Sequence, residues 1–204
     1  MKAQIILAGI GGQGILFASK LFSQLGVKLG LNVMGSETHG MSQRGGSVNA
    51  HIKLGDFQSP LIRSNSADIL YSFDENETYR TLKFLRNGGV CFANLVSMDR
   101  FDRRIIDHLK NKHINILAYD ASAAALKIGS IISTNIVLIG YSVGTGLVPF
   151  RSKDLKNVLE LVSRKGNLEI NLKAFESGFQ EGKSLKKELL SPSHKIFEQE
   201  KRKP

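Results

Sequence analysis

Two glycine-rich segments contain the residues best suited to binding chemistry in this chain. The first is Gly9-Ile10-Gly11-Gly12-Gln13-Gly14, and the second is His39-Gly40-Met41-Ser42-Gln43-Arg44-Gly45-Gly46. The first follows the apolar residues 5–8 and opens an apolar-periodic stretch. Backbone amides in such a strand–turn–helix setting can hold a phosphate or another anion. The second places a guanidinium beside two glycines. Together they predict one site built from two loops.

The first segment fits the pattern G-x-G-x-x-G through Gly9, Gly11 and Gly14. This pattern is typical of dinucleotide binding, which also needs an acidic residue about 20 residues further on for the ribose hydroxyls. Glu37 is a candidate for that residue. The alternative is that the three glycines serve only a tight turn and close packing of the helix on the strand.

The second segment offers several polar groups. Arg44 has a rigid fork suited to carboxylate or phosphate, and the two following glycines allow close approach. Gln43 can donate hydrogen bonds, and His39 can titrate near neutral pH. Equally, Glu37, His39 and Arg44 can form a structural ion-pair network. No spacing in the chain fits a metal site, a Ser/His/Asp triad or a Cys/His pair, so no catalytic residue is assigned.

The single cysteine, Cys91, limits the chemistry of the chain. It excludes an internal disulfide, and a zinc site or iron–sulfur cluster ligated by cysteines would need several more thiols. We expect Cys91 to be buried and inert, in a reduced, cytoplasmic protein. No apolar run reaches the roughly 18 residues that span a membrane, and the first residues enter a strand without a signal peptide.

The formal net charge of +10 favours acidic partners, polyphosphate ligands or nucleic acid. Residues 183–204 hold seven Lys/Arg against three Glu. There is no aromatic-interleaved basic patch, helix-turn-helix pattern or ribonucleoprotein motif, so we do not expect nucleic-acid binding. The polar end of the chain, from Ser191, is predicted to be mobile.

Strand and helix patterns alternate along the chain. This predicts an α/β, Rossmann-like three-layer fold with a mostly parallel sheet and C-terminal helices, and ligands at the carboxyl ends of the strands. Strands are predicted at 4–8, 32–36, 47–54, 68–73, 90–95 and 114–118. Helices are predicted from Gly14 to Gly30 and at 75–86, 103–109, 121–128, 135–143, 153–164 and 172–190.

Two of these segments carry more detailed predictions. Residues 47–54 alternate strictly between apolar and polar, which indicates a half-buried strand, antiparallel or at an edge. Residues 135–143 are apolar on almost every side, so we expect a helix buried in the core or in an interface.

The two glycine segments in this order resemble a known family. Gly11-Gly12-Gln13-Gly14-Ile15 beside a strand, followed by residues 37–48, is similar to the gamma-type subunit of 2-oxoacid:ferredoxin oxidoreductases. The form His-Gly-Met-Ser-Gln-Arg-Gly-Gly looks most like the beta subunit of the indolepyruvate type. Relatives that act on pyruvate or 2-oxoglutarate tend to carry a Tyr-Gly-Pro-Glu-type sequence before Arg-Gly-Gly. Residues 135–140 and 171–179 extend the resemblance, which makes 1–182 a gamma-type catalytic domain and leaves 183–204 as a basic tail.

The resemblance implies a subunit without its own redox centre, inactive alone. Such complexes oxidise 2-oxoacids with coenzyme A to acyl-CoA and carbon dioxide and reduce ferredoxin. Thiamine diphosphate and 4Fe-4S clusters would lie in a large alpha subunit. This chain has no visible thiamine-binding motif. For the indolepyruvate type, the substrates are aryl pyruvates.

The family's site residues carry over without a bond-making role. They would contact coenzyme A or the partner subunit: Gly9, Gly11, Gly12, Gln13, Gly14, His39, Gln43, Arg44, Gly45 and Gly46. Three other functions stay open at this point. One is the gamma subunit of a pyruvate, 2-oxoisovalerate or 2-oxoglutarate ferredoxin oxidoreductase. Another is a free-standing dinucleotide-binding protein, and the third is a binding or scaffold module that uses the basic tail.

Overall fold

The computed structural model describes residues 1–40, 45–99 and 101–190, and within them six strands form one sheet in the order β2-β3-β1-β4-β5-β6. The strands are β1 (Ala3–Ile10), β2 (Val33–His39), β3 (Ser47–Leu54), β4 (Ala67–Ser72), β5 (Leu85–Asn94) and β6 (Asn115–Tyr119). Neighbours β1, β4, β5 and β6 run parallel, and β3 is antiparallel to β1 and β2. The predicted mostly parallel sheet is confirmed.

Helices cover both faces of the sheet. They are α1 (Ile15–Lys28), α2 (Glu75–Thr81), α3 (Arg103–Asn111), α4 (Ala121–Lys127), α5 (Thr134–Thr145), α6 (Ser152–Val162) and α7 (Leu168–Leu190). Successive residues of β1 point to opposite faces: Ile5 and Leu7 pack in the core with α1 and α4–α7, while Ile6 and Ala8 pack in a second core with α3. This is the predicted three-layer α/β fold.

Strand β3 is antiparallel to both of its neighbours, which is one of the two alternatives predicted, and it lies between β2 and β1. It differs from its prediction in burial. Its second face is more buried than alternation suggests, because residues 55–66 cover it. The Ile62 N–H donates to Nδ1 of His51 at 3.1 Å, and Nζ of Lys53 lies 5.2 Å from the centroid of the Phe57 ring. His51 and Lys53 on this face thus contact the segment 55–66 instead of solvent.

The helix predicted over residues 75–86 is wrong at its end. Helix α2 ends at Thr81, a 3₁₀ turn covers 82–84, and β5 begins at Leu85. The segment Asn87-Gly88-Gly89 therefore lies inside a strand, where it marks an irregularity opposite residues 67–69 of β4. Gly88 has φ 73° and donates its N–H to the carbonyl of Lys112 at 2.9 Å. Glycine marked a strand irregularity here, not a helix stop.

Helices α5 and α7 pack backbone against backbone through glycines. A Cβ on Gly140 or Gly144 of α5 would overlap a carbonyl oxygen of α7, and a Cβ on Gly178 or Gly182 of α7 would overlap one of α5. Residues 135–145 of α5 are buried, which confirms the predicted buried helix.

The C-terminal part of the chain is helical beyond the predicted domain boundary. Helix α7 runs through residue 182 and ends at Leu190, and residues 191–204 lie outside the described part. None of the helices in the described residues is both long enough and apolar enough to cross a bilayer. Cys91 lies on β5 with no exposed surface, as predicted.

Candidate functional site

The two glycine segments meet at the carboxyl end of β1. The Gly11 N–H donates to the carbonyl of Gly46 at 2.9 Å, and the next pair along, Ile10 and Ser47, are partners in the β1–β3 ladder. The second segment joins β2 to β3, and its Gly40 N–H donates to the Ser47 carbonyl at 2.7 Å. The structure thus brings the two predicted loops together at the edge of the sheet where a ligand is expected.

Part of the predicted site lies outside the described residues. Gln43 and Arg44 fall in the gap 41–44, and the side chain of His39 is likewise not described. Their proposed contacts with a ligand or a partner stay predictions.

Gln13 closes the turn between β1 and α1. Its Oε1 accepts the Ile10 N–H at 2.8 Å, and its Nε2 donates to the Phe73 carbonyl at 3.2 Å. A Cβ on Gly9 would lie 2.5 Å from Oε1 of Gln13, so glycine at this position makes room for the side chain. Gln13 and Gly9 therefore set the shape of this turn. Both polar atoms of the Gln13 side-chain amide are hydrogen-bonded within the protein.

Gly14 begins α1 with φ 74° and accepts a hydrogen bond from a distant helix. Nδ2 of Asn135, on α5, donates to the Gly14 carbonyl at 2.9 Å. Asn135 is 3% exposed, and a Cβ on Gly14 would overlap its amide. Sequence reasoning included Asn135 only in a supporting family match, since no local pattern predicts a contact across 121 residues.

Gly12 and Gly45 face no neighbour among the described residues. Gly12 has φ 104° and Gly45 has φ 76°, and no described atom lies within 4 Å of where their Cβ atoms would be. They flank the Gly11–Gly46 hydrogen bond, one in each segment. The arrangement presents bare backbone to whatever approaches this edge, which is the property that close contact with a ligand or another chain requires.

The loop is less like a dinucleotide site than its glycine spacing suggests. The N–H groups of Gly11 and Gln13 are already donated within the protein, to Gly46 and Ile10. The acidic candidate, Glu37, lies on β2, and β3 separates that strand from β1. Two strand spacings place β2 about 10 Å from β1, so Glu37 does not adjoin the glycine turn.

Buried polar groups hold the start of β3. Glu77 is 1% exposed; its Oε2 accepts the Ser47 hydroxyl and its Oε1 accepts from Arg80, each at 2.7 Å. Asp74 caps α2 by accepting the N–H groups of Asn76 and Glu77. A carboxylate such as Glu77 is common in the first turn of a helix. Its hydrogen bond to Ser47, next to the second glycine segment, is visible only in the folded structure.

Asn94 extends the hydrogen bonding along the same edge. Its Nδ2 donates to the Phe73 carbonyl at 3.2 Å and to the Ser122 hydroxyl at 2.9 Å, and its Oδ1 accepts the Ser122 N–H at 3.1 Å. The Phe73 carbonyl therefore accepts hydrogen bonds from both Gln13 and Asn94. A polar residue at the carboxyl end of a buried strand was the available signal, and sequence reasoning missed it.

The described residues show no cluster of His, Cys, Asp or Glu that could hold a metal ion. Burial raises the pKa of the Cys91 thiol, which keeps it protonated and unreactive near neutral pH. Burial, with a smaller contribution from Glu181, raises the pKa of Tyr141 to about 12. These groups are packed in the core, so none is placed to act as a nucleophile or base.

Comparison with known proteins identifies the family. A family model described as pyruvate ferredoxin/flavodoxin oxidoreductase matches residues 4–181. The chain belongs to this family. Membership confirms the resemblance that the two glycine segments predicted.

Individual members of the oxidoreductase family match most of the chain. A protein of Archaeoglobus fulgidus named indolepyruvate oxidoreductase subunit IorB is 31% identical over 193 residues, which cover 89% of this chain and 96% of that protein. The crystal structure of a keto/oxoacid ferredoxin oxidoreductase gamma subunit from Geobacter sulfurreducens has a TM-score of 0.67 at 23% identity, covering 89% of this chain and 99% of that one. A 2-oxoglutarate:ferredoxin oxidoreductase from Magnetococcus marinus has a TM-score of 0.70 at 21% identity, covering 92% of this chain but 31% of that one. The two structures share this fold.

Proposed function

We propose that this chain is the gamma-type subunit of a thiamine-dependent 2-oxoacid:ferredoxin oxidoreductase that acts on indolepyruvate and other aryl pyruvates. The family match over residues 4–181 carries the proposal. The relative named for indolepyruvate supports the aryl substrate, because the match covers nearly all of that protein. The 2-oxoacid and coenzyme A would give aryl-acetyl-CoA and carbon dioxide, and the electron pair would pass to ferredoxin.

The redox centres would lie in another chain. The only cysteine is fully buried in β5, so this chain cannot ligate a cluster through cysteines. A large alpha subunit would hold thiamine diphosphate and the 4Fe-4S clusters, and ferredoxin would meet the assembled complex. The small chain would be inactive alone and would work in the cytoplasm.

The joined glycine segments are the proposed contribution of this chain. The open backbones of Gly12 and Gly45 favour close approach by coenzyme A or by the partner subunit. Arg44, with Gln43 and His39, would add charge and hydrogen bonds at the same edge. The role is to shape and complete the partner's active site, with no bond-making step on this chain.

A free-standing dinucleotide-binding protein is the weaker alternative, because Glu37 lies two strands from the turn and two loop amides are already used. Calorimetry of the isolated chain with NAD and NADP tests it. Tight binding of either would favour that alternative over the subunit.

Co-expression with a thiamine-dependent large subunit tests the proposal. We expect the two chains to copurify in a fixed ratio, and kcat/KM for indolepyruvate to exceed that for pyruvate, 2-oxoisovalerate and 2-oxoglutarate. A preference for one of those three would reassign the substrate within the family. Failure of the chains to associate would contradict the subunit assignment.

A further inference from the structure

Two shallow clefts mark the edge of the sheet that lies opposite to the glycine segments. The first, of about 260 Å³, is lined by the starts of β1, β4, β5 and β6 and by the turn after α5. The second, of about 250 Å³, is lined by the turn before β2 and the turn after β3. Lys2 lines both and joins them into one surface, which we call the amino edge. The eight residues of β1 separate the amino edge from the glycine segments by about 25 Å.

Exposed lysines surround these two clefts. Lys28 ends α1 next to the second cleft, and Nζ of Lys186 on α7 would lie 2.8 Å from a Cβ on Gly146, beside the first. Lys2, Lys28 and Lys186 are all exposed, and they form no salt bridge with any described residue. Their charges are therefore available to a partner.

Carboxylates at the amino edge already have partners within the chain. Asp68, in the first cleft, forms a salt bridge of 2.6 Å with Arg86. Asp154, at the start of α6, forms one of 2.7 Å with Arg151. Asp56, in the second cleft, accepts a hydrogen bond from a side-chain amide at 2.7 Å. The unpaired lysines therefore give this surface a positive charge, which attracts an acidic partner.

Exposed apolar side chains lie among these lysines. Leu147 is 46% exposed and lines the first cleft, while Val27 and Leu29, beside the second, are 61% and 36% exposed. Single exposed apolar residues are common, but apolar side chains rimmed by polar ones are typical of protein-binding surfaces. A nucleic-acid backbone would need only the cations. The combination favours a protein with an acidic surface.

We propose that the amino edge docks an acidic electron-carrier protein, and its identity as ferredoxin rests on the proposed function. A cluster held by four thiolates carries a net negative charge, because the thiolates outweigh the positive charge of the iron–sulfur core. The glycine segments would face the partner's active site, so the opposite edge is free for a carrier. The lysines would steer the carrier to the complex. The electrons would still pass directly from the clusters of the large subunit to the carrier.

Binding of the full chain to an acidic 4Fe-4S ferredoxin, measured by calorimetry at low ionic strength, tests this surface. We expect the triple variant Lys2→Gln, Lys28→Gln and Lys186→Gln to bind about tenfold more weakly. High salt should bring the parent and this variant together, because it screens exposed charges. The matched control removes three other exposed cations, none of which lines either cleft, and should bind as the parent does: Arg103→Gln, Lys127→Gln and Lys165→Gln. Circular dichroism should show both variants folded.

Kinetics of the reconstituted complex separate docking from assembly. The triple variant should raise KM for ferredoxin, while KM for indolepyruvate and kcat with a viologen dye as acceptor stay unchanged. A variant that merely disturbs assembly would lower the rate with both acceptors.

Each outcome bears on the inference. It is overturned if the parent chain does not bind ferredoxin, if the control variant weakens binding as much as the triple variant, or if a DNA duplex binds as tightly as ferredoxin. Oxidation of indolepyruvate by a complex whose small chain binds no ferredoxin would contradict the docking surface alone. Ferredoxin binding by a chain that supports no 2-oxoacid oxidation would contradict the proposed function alone.

Discussion

Gly12 and Gly14 belong to the same turn, but the structure constrains them differently. Both have positive φ, which costs other residues about 1–2 kcal/mol. Only Gly14 also faces a side chain, the buried amide of Asn135. We expect Gly14→Ala to lower the free energy of unfolding by about 2–4 kcal/mol and Gly12→Ala by about 1 kcal/mol, measured by urea denaturation.

A double variant separates the two causes. If the Asn135 amide is the obstacle, Gly14→Ala combined with Asn135→Ala should lose less stability than the sum of the single variants. Strict additivity would contradict the contact. Because Gly14 is explained by internal packing and Gly12 is not, open-backbone Gly12 is the better candidate for an approach site.

His51 gives stability a pH dependence. Burial, and secondarily the positive charge of Lys53, lowers its pKa below the ordinary value of about 6.5. The folded state therefore prefers the neutral ring, whose Nδ1 accepts the Ile62 N–H. Well above pH 6.5 the ring is neutral in both the folded and the unfolded state, so it adds no pH dependence to stability. As the pH falls below 6.5 the unfolded chain takes up the proton first, so stability decreases.

Urea denaturation at pH 8 and pH 5.5 measures this effect. We expect His51→Gln to lose less stability than the parent between these two values, because the variant has no ring to protonate. An identical loss in parent and variant would show that His51 does not contribute.

At the level of single residues, the sequence alone predicted the two glycine segments, because the residue types and their spacing form a local and specific pattern. It did not predict the roles of Asn135, Glu77 or Asn94. Those side chains act on partners that are distant in sequence, and nothing in the neighbouring residues encodes such a contact. Arg44 and Gln43 lie outside the described residues, so their part in the site stays a prediction.

At the scale of elements, the contact between α5 and α7 is the most demanding feature of the fold. A Cβ on Gly178 would overlap the Val137 carbonyl and lie 2.8 Å from the Tyr141 N, and these backbone atoms cannot move aside alone. We expect Gly178→Ala to lower the free energy of unfolding by about 3 kcal/mol or more, the upper range of overpacking, or to prevent folding.

Gly166 provides the matched control for this variant. It has no described atom within 4 Å of its Cβ position and no positive φ. Gly166→Ala should change stability by less than about 0.5 kcal/mol. Equal, small effects of the two substitutions in urea denaturation would contradict the close packing of the helices.

The periodicity of apolar residues predicted which segments are helices and which are strands, but it did not predict the residues at which they end. The strict alternation of residues 47–54 gave an antiparallel strand, but pattern alone could not show that residues 55–66 would bury its polar face. The predicted helix over 75–86 is too long, because Gly88 and Gly89 by residue type alone indicate a helix stop. In the fold they allow an irregularity in β5, which depends on pairing with β4.

At the scale of the whole molecule, the fold of this chain recurs over 31% of one longer solved chain and over nearly all of a separate gamma subunit. The same fold therefore occurs as part of a longer chain and as a chain of its own. Fold class and family could be reached from the sequence, whereas the hydrogen bond between Asn135 and the glycine turn could not, because its two partners are 121 residues apart.

Ferredoxin reduction by the reconstituted complex is the most direct test of the subunit assignment. The large subunit is assayed with indolepyruvate and coenzyme A, with and without an equimolar amount of this chain, and this chain is also assayed alone. We predict ferredoxin reduction only when both chains are present. Equal activity of the large subunit without this chain would contradict the account.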